Sequence, residues 1–450
     1  MAQPNLIFVF ADQLRYQATG FGGDPNVHTP CLDALASQSL CFTNAISGSP
    51  VCCPARASLL TGQYPHEHGV FMNDVCLGDD AVTLAEAFAS AGYDTAYIGK
   101  WHLDGHGRKN YIPRERRHGF QHWEALECTH DYNHSLYYAG DDSTARVWEG
   151  YDAAAQTRAA QHYIESHAGA DAFALVLSWG PPHNPYETAP EPYRRMYDPA
   201  DLVLRPNVPP GFEAQARRDL AGYYAHISAL DALVGDLLAT LDRTGIRENT
   251  IFVFWSDHGD MLGSQGEWRK QRPWEESIRV PLLIHMPGQP GAGRDIDALI
   301  NTPDLMPTLL DLCGIPVPQS VSGNSYAPFL RGEEEAPEEA VLLACLQPFG
   351  EYARAQHGGR EYRGVRTAQY TYASDLSGSW LLYDNLADPY QMHNLVDLPE
   401  YALIQTHLDN ELQRLLALHD DEFLPGAIYV DQWGYTLDDT GTVPYTDVPS

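Results

Sequence analysis

Five short runs, residues 6–11 (LIFVFA), 95–99 (TAYIG), 173–179 (FALVLSW), 251–256 (IFVFWS) and 281–286 (PLLIHM), are apolar along their whole length, not at every second position. A strand of that kind must be covered on both faces, which a mainly parallel sheet between helical layers achieves. Helical patterns separate the runs. Thr83-Leu84-Ala85-Glu86 is a capping box that opens a helix ended by Gly92. Residues 152–167 form another. In 213–243, Tyr223, Ile227, Leu230, Val234, Leu237 and Leu241 keep a 3.6-residue period. Residues 303–313, stopped by Gly314, form a shorter one. The alternation predicts an α/β sandwich.

From about residue 346 the texture changes. Segments 362–365, 370–373 and 380–383 read as an antiparallel meander, followed by a helix near 400–418 and an acidic, loop-rich tail. The expected division is an α/β domain over 1–345 and a smaller α+β subdomain over 346–450. A chain of 450 residues has ample length for both.

The formal charge of −32 argues against nucleic acid and anionic membranes as partners. No apolar run approaches the ~18–20 residues that span a bilayer. The opening MAQPNLIFVFADQ has no basic region and reads as a strand, so a cytoplasmic location is expected. The eight cysteines show no repeated CxxC spacing, which indicates neither a zinc cluster nor a disulfide framework. There are only three lysines, Lys100, Lys109 and Lys270, among 28 basic residues. Arginine-rich coding explains the bias but not the positions that keep lysine.

Four of the apolar runs end in polar residues: Asp12-Gln13, Lys100-Trp101-His102, His183-Asn184 after Gly180-Pro181-Pro182, and Asp257-His258-Gly259-Asp260. Each alone is an ordinary strand end. On one edge of one sheet they form a ligand site, with carboxylates, an amide and imidazole for a cation and basic groups for an anion. The stretch SPVCCPARASLLTG, residues 49–62, adds to this edge. Pro54 suits the first turn of a helix and Gly62 its end, so Cys52 stands at the helix N-terminus, where anions are favoured, with Arg56 one turn in.

Pro50-Val51-Cys52-Cys53-Pro54-Ala55-Arg56 with Leu59-Leu60-Thr61-Gly62 resembles the sulfatase signature. The resemblance continues through Asp12, Gly99-Lys100-Trp101-His102, Pro182-His183, Asp257-His258-Gly259, and Lys270 with Trp274-Glu275-Glu276-Ser277 and Arg279-Val280-Pro281. It implies an alkaline-phosphatase-like fold: a large mixed, mostly parallel sheet sandwiched by helices, with a C-terminal α+β subdomain. By this resemblance Cys52 is oxidised to formylglycine by a maturation enzyme, and the hydrate of the aldehyde attacks the sulfur of a small sulfated substrate, a sugar or an aryl or alkyl sulfate. Asp12, Gln13, Asp257 and His258 would hold a divalent cation. Arg56 and Lys100 would stabilise the diol and the sulfate oxygens, His102 would take the proton on collapse of the hemiacetal, and His183 with Lys270 would face the leaving group.

Two departures matter. Gln13 stands where the family commonly has aspartate, and His258 where it often has asparagine, so calcium is the implied ion and manganese its alternative. Superfamily members with such variation hydrolyse phosphonate monoesters and phosphodiesters, which is the alternative activity. Asn73, in Phe71-Met72-Asn73-Asp74, and His130 and His134, in a polar-aromatic loop with Trp123 and Tyr132, are candidates for substrate contact; turn shaping and solvated loop residues are the competing readings. Three further readings carry less. A thiol enzyme is disfavoured because the spacing between Cys52 and Arg56 is shorter than in cysteine phosphatases. A non-catalytic binding homologue is disfavoured because every expected catalytic position is filled. A vicinal Cys52–Cys53 disulfide is strained. Oligomeric state is not legible in the sequence.

Overall fold

All five apolar runs become strands of one ten-stranded sheet in the computed structural model, which describes residues 3–286, 288, 293–337, 339–350 and 359–444. In chain order the strands are β1 (Asn5–Asp12), β2 (Leu40–Ile46), β3 (Asp94–Lys100), β4 (His122–Leu126), β5 (Leu136–Ala139), β6 (Asp142–Val147), β7 (Phe173–Pro182), β8 (Thr250–Ser256), β9 (Leu282–His285) and β10 (Arg294–Asn301). They lie in the order β10-β2-β9-β8-β1-β7-β3-β4-β5-β6. The sheet is mixed and mostly parallel. The central strands β8, β1, β7, β3 and β4 run parallel to one another.

The run at 281–286 departs from the parallel expectation, since β9 is antiparallel to both β2 and β8. Between β8 and β9 the only α-helix is the single turn Glu275–Ile278, so no crossover helix carries the chain back to the starting edge.

Strand β1 shows why unbroken apolarity was required. Leu6, Phe8 and Phe10 pack into one core, beneath the helices Cys52–Thr61, Leu84–Ser90 and Leu305–Leu312. Ile7, Val9 and Ala11 pack into the other, against Asp152–His167 and Glu213–Thr244. The periodic residues Tyr223, Ile227, Leu230, Val234, Leu237 and Leu241 are all buried on that side. The sheet ends at β6, whose residues are all exposed, as suits a polar edge.

A second, antiparallel sheet follows: β11 (Ala340–Cys345), β12 (Tyr362–Thr367), β13 (Tyr370–Asp375) and β14 (Gly378–Asp384). Its first strand lies N-terminal to the break expected at 346. The helix Ala402–Leu418 covers it through Leu408, Leu412, Leu415 and Leu416. The two parts are stitched together where Ala344 N–H donates to the Gly48 carbonyl (2.7 Å) and Asn301 Nδ2 donates to the Leu342 carbonyl (3.2 Å). Residues 445–450 of the expected tail lie outside the described residues.

Candidate active site

Because β8, β1, β7 and β3 are parallel neighbours, their C-terminal ends open on one edge, and Asp257, Asp12, His183 and Lys100 meet there. The Cys52–Thr61 helix points its N-terminus into the same place. It is buried along its whole length and ends at Gly62, whose φ of 66° is left-handed. Asn73 Oδ1 accepts from the Cys53 N–H (3.1 Å), so one of the unpaired amides at the helix start is capped by a side chain from a distant loop.

Arg56 organises the two carboxylates. Its Nε donates to Asp257 Oδ2 (3.2 Å), Nη2 to Asp12 Oδ2 (3.1 Å), and Nη1 to the Lys100 carbonyl (2.7 Å) and Ser178 Oγ (2.9 Å). Lys100 Nζ also bonds Asp12 Oδ2, at 2.5 Å. Each acid thus spends one oxygen on a cation and turns the other inward. Burial opposes the charge on Asp12, but Lys100, His183, Arg56 and Lys270 hold its pKa well below the ordinary carboxylate range.

The inward atoms surround Cys52. Asp12 Oδ1 and Asp257 Oδ1 lie 3.6 and 3.7 Å from His258 Nε2, and Cys52 Sγ is 3.2 Å from that nitrogen. His258 Nδ1 faces the Gly259 carbonyl at 2.9 Å, which places the proton there and leaves Nε2 as a lone-pair donor. Ligands bound at roughly 2.0–2.6 Å to one ion stand about 3–4 Å apart, so this set fits a hard or borderline divalent cation. Asp12, Cys52, Asp257 and His258 are all completely buried and mutually within 4.8 Å. Gln13 joins them from a left-handed backbone (φ 73°). Its Nε2 donates to Asp260 Oδ2 (2.6 Å), which fixes the amide so that Oε1 accepts from Lys270 Nζ (3.1 Å). Asp260 explains why an amide stands at position 13: a carboxylate would meet another carboxylate there.

Lys270 Nζ is also 3.0 Å from Cys52 Sγ. Burial and Asp12 push the Cys52 thiol up, but Lys100, Lys270 and His258 outweigh them, and the group sits well below an ordinary thiol. This position is built to carry negative charge.

A cavity of about 230 Å³ opens above Cys52, walled by Asn73, Lys100, His102, Arg108, His130, His183 and Lys270 among others. His102, with φ 61°, presents Nε2 to Asp74 Oδ1 at 3.0 Å; its Nδ1 is buried without a hydrogen-bond partner among the described residues. The turn that follows is clamped by Glu127, which accepts from the N–H groups of Leu103, Asp104 and Gly105. His183 is held neutral by burial and by Lys270, with Nδ1 on the Asn184 carbonyl (2.9 Å). His130 stacks on it, centroids 4.7 Å apart and planes 3° from parallel.

The sequence-predicted residues therefore converge, with one exception. His134 is exposed in a turn where its N–H bonds the Asp131 carboxylate, and it does not line the cavity; the solvated-loop reading applies to it. Sequence reasoning passed over Asp74, Arg108 and Ser178. Asp74 stood beside Asn73 in the quoted tetrapeptide, but nothing local marks it as the partner of His102. Left-handed backbones at Gln13, Asp74, His102, Arg269 and Gln271 gather at this site, a strain that side-chain type does not announce.

Residues 4–315 match the family model described as sulfatase, and residues 263–417 the model described as N-sulphoglucosamine sulphohydrolase, C-terminal. An ulvan-active sulfatase of Formosa agariphila is 44% identical over 439 residues, covering 97% of this chain and 85% of its own. A solved structure from work on the metabolism of multiple glycosaminoglycans by Bacteroides thetaiotaomicron superposes with a TM-score of 0.85 at 30% identity, covering 96% of this chain and all of that one. A phosphonate monoester hydrolase of Agrobacterium radiobacter superposes with a TM-score of 0.75 at 26% identity, over 92% and 96% of the two chains.

Proposed function

The chain belongs to the sulfatase family, of the alkaline-phosphatase-like superfamily, and is a sulfuric ester hydrolase; from that premise we propose that it removes sulfate from a sulfated carbohydrate, using a formylglycine made from Cys52. The observation that carries the reading is the place of Cys52: first residue of a buried helix, 3.0 Å from Lys270 and 3.2 Å from His258. With 1% of its surface exposed, Cys52 has to be oxidised by the maturation enzyme before the sheet edge closes over it.

One hydroxyl of the aldehyde hydrate gives its proton to the Asp257 carboxylate, an oxygen of which lies within 4.8 Å of the side chain at position 52, and attacks sulfur, and the bond from sulfur to the sugar oxygen breaks on the opposite side. A divalent cation, calcium by the family's habit, held by Asp12, Gln13, Asp257 and His258, supplies a Lewis acid at this position. Arg56 and Lys100 hold the carboxylate frame and Lys100 faces the sulfate. Lys270 supplies the proton to the departing sugar oxygen, since His183 is neutral and has committed its Nδ1 proton to Asn184. The second hydroxyl then passes its proton to the open Nδ1 of His102, whose ring Asp74 orients. The bond from carbon to the sulfate oxygen breaks, sulfate leaves, the aldehyde returns, and water restores the hydrate.

Peptide mass spectrometry on protein from a host with a maturation system should find an aldehyde at position 52, and turnover of a sulfated saccharide should exceed that of phosphonate monoester and phosphodiester analogues. An unmodified thiol in active enzyme, or a faster phosphonate reaction, would overturn the proposal.

A further inference from the structure

Asn184 and Arg269 line two cavities at once: the one above Cys52 and a wider one, of about 610 Å³, that opens beside it. Each is the chain neighbour of a group on the leaving-group side, Asn184 of His183 and Arg269 of Lys270. The wide cavity therefore continues from the point at which a leaving group departs.

Its walls differ in chemistry from those around Cys52. Phe212 and Trp268 pair with centroids 5.5 Å apart and planes at 42°, and Phe212 is 38% exposed although large and apolar. The indole is fixed by a hydrogen bond from Nε1 to Asp219 Oδ2 (2.9 Å), and Gln215 Nε2 supports the same oxygen at 3.4 Å. Glu187 adds an exposed carboxylate to the lining. The narrow cavity is lined by cations, Lys100, Arg108 and Lys270; the wide one by acids, with Arg269 only at the shared mouth.

We propose that the wide cavity is a subsite for an uncharged sugar ring joined to the sulfated unit. The proposal rests on the sulfatase reading and refines its substrate class to an oligosaccharide or polysaccharide. Aromatic faces take the C–H side of a pyranose, while carboxylates and an amide accept or donate to its hydroxyls. A uronate or a second sulfate would meet Asp219 and Glu187 at close range, so the acidic wall selects against a charged neighbour.

The test compares the formylglycine enzyme with Trp268→Ala and Trp268→Phe. Substrates are two sulfated disaccharides that differ only in the neighbouring sugar, a neutral hexose or a hexuronate, and nitrophenyl sulfate as reference. Wild type should prefer the neutral disaccharide at least tenfold in kcat/KM. Trp268→Ala should lower kcat/KM for that disaccharide about tenfold relative to the aryl ester, chiefly through KM, and Trp268→Phe should restore most of it. Equal losses on both substrates, or no preference between the disaccharides, would overturn the subsite. If no sulfate is turned over at all, the sulfatase reading has failed instead. Saturation-transfer NMR with the unsulfated neutral disaccharide then decides the subsite: binding lost in Trp268→Ala upholds it, and absence of binding to wild type refutes it.

Discussion

Replacing Arg56 by lysine keeps one positive charge in the site but removes the fork that holds the two carboxylates. The guanidinium makes four hydrogen bonds, to Asp257, Asp12, the Lys100 carbonyl and Ser178. A single ammonium cannot span the separate acceptors, and Asp12 is already served by Lys100. Losing two of the four, one of them the cationic partner of Asp257 Oδ2, removes roughly 1.5–3 kcal/mol per charged bond, or about 3–6 kcal/mol in all. With 450 residues and roughly 2.1 cal/mol/K of unfolding entropy per residue, that is a fall in Tm of about 3–6 °C. The freed carboxylates should also weaken cation binding by about 10–100-fold, the usual cost of removing a group that orients metal ligands. Thermal melts of metal-stripped protein, followed by calcium titration, read both quantities. A variant that melts within about 1 °C of wild type and binds calcium equally well would refute the reasoning.

Asp74→Asn should lower kcat by about ten- to a hundredfold with KM nearly constant, because it weakens the charge that orients His102 as a base; an unchanged kcat–pH profile would exclude that role. Gly99→Ala places a Cβ 2.0 Å from the Ser178 carbonyl at a φ of 108°, so it should destabilise by about 3 kcal/mol or more and displace Lys100, read as lost stability together with lost turnover. Asp152 is buried with one carboxylate oxygen unpartnered among the described residues, and burial pushes its pKa up to about 8. Its protonated form is favoured by folding, so its contribution is complete below about pH 4 and is lost as pH rises to about 8. Asp152→Asn should therefore gain on wild type across that window, by up to about 5 kcal/mol at pH 8.5 in denaturant melts; a difference independent of pH would contradict it.

Much of the site was legible because its residues sit at the ends of strands whose apolarity is itself legible. Asp12, Lys100, His183 and Asp257 follow runs that only a two-sided core accommodates. Three of the strands that escaped notice have mixed surroundings, whereas β11, buried throughout, was passed over as well. β2 carries Thr43 and Asn44 half-exposed in its middle, β10 begins with the exposed pair Arg294-Asp295, and β6 is exposed throughout. These three segments carry neither an unbroken apolar run nor a strict alternation for a pattern to register. Asp74, Arg108 and Ser178 went unseen for another reason: each matters only for what it touches.

The sequence by itself determined the layered α/β fold, since unbroken apolar strands tolerate no other cover, and it singled out Cys52 as the proposed precursor of the nucleophile, since the residues around it form one continuous signature. Tertiary structure decided how those groups are oriented. Which carboxylate oxygen faces inward depends on Arg56, which imidazole nitrogen is open depends on Asp74 and the Gly259 carbonyl, and which way the Gln13 amide turns depends on Asp260. Apart from the adjacent Gly259, these partners come from 28 to 247 positions away, and only the folded chain brings them together.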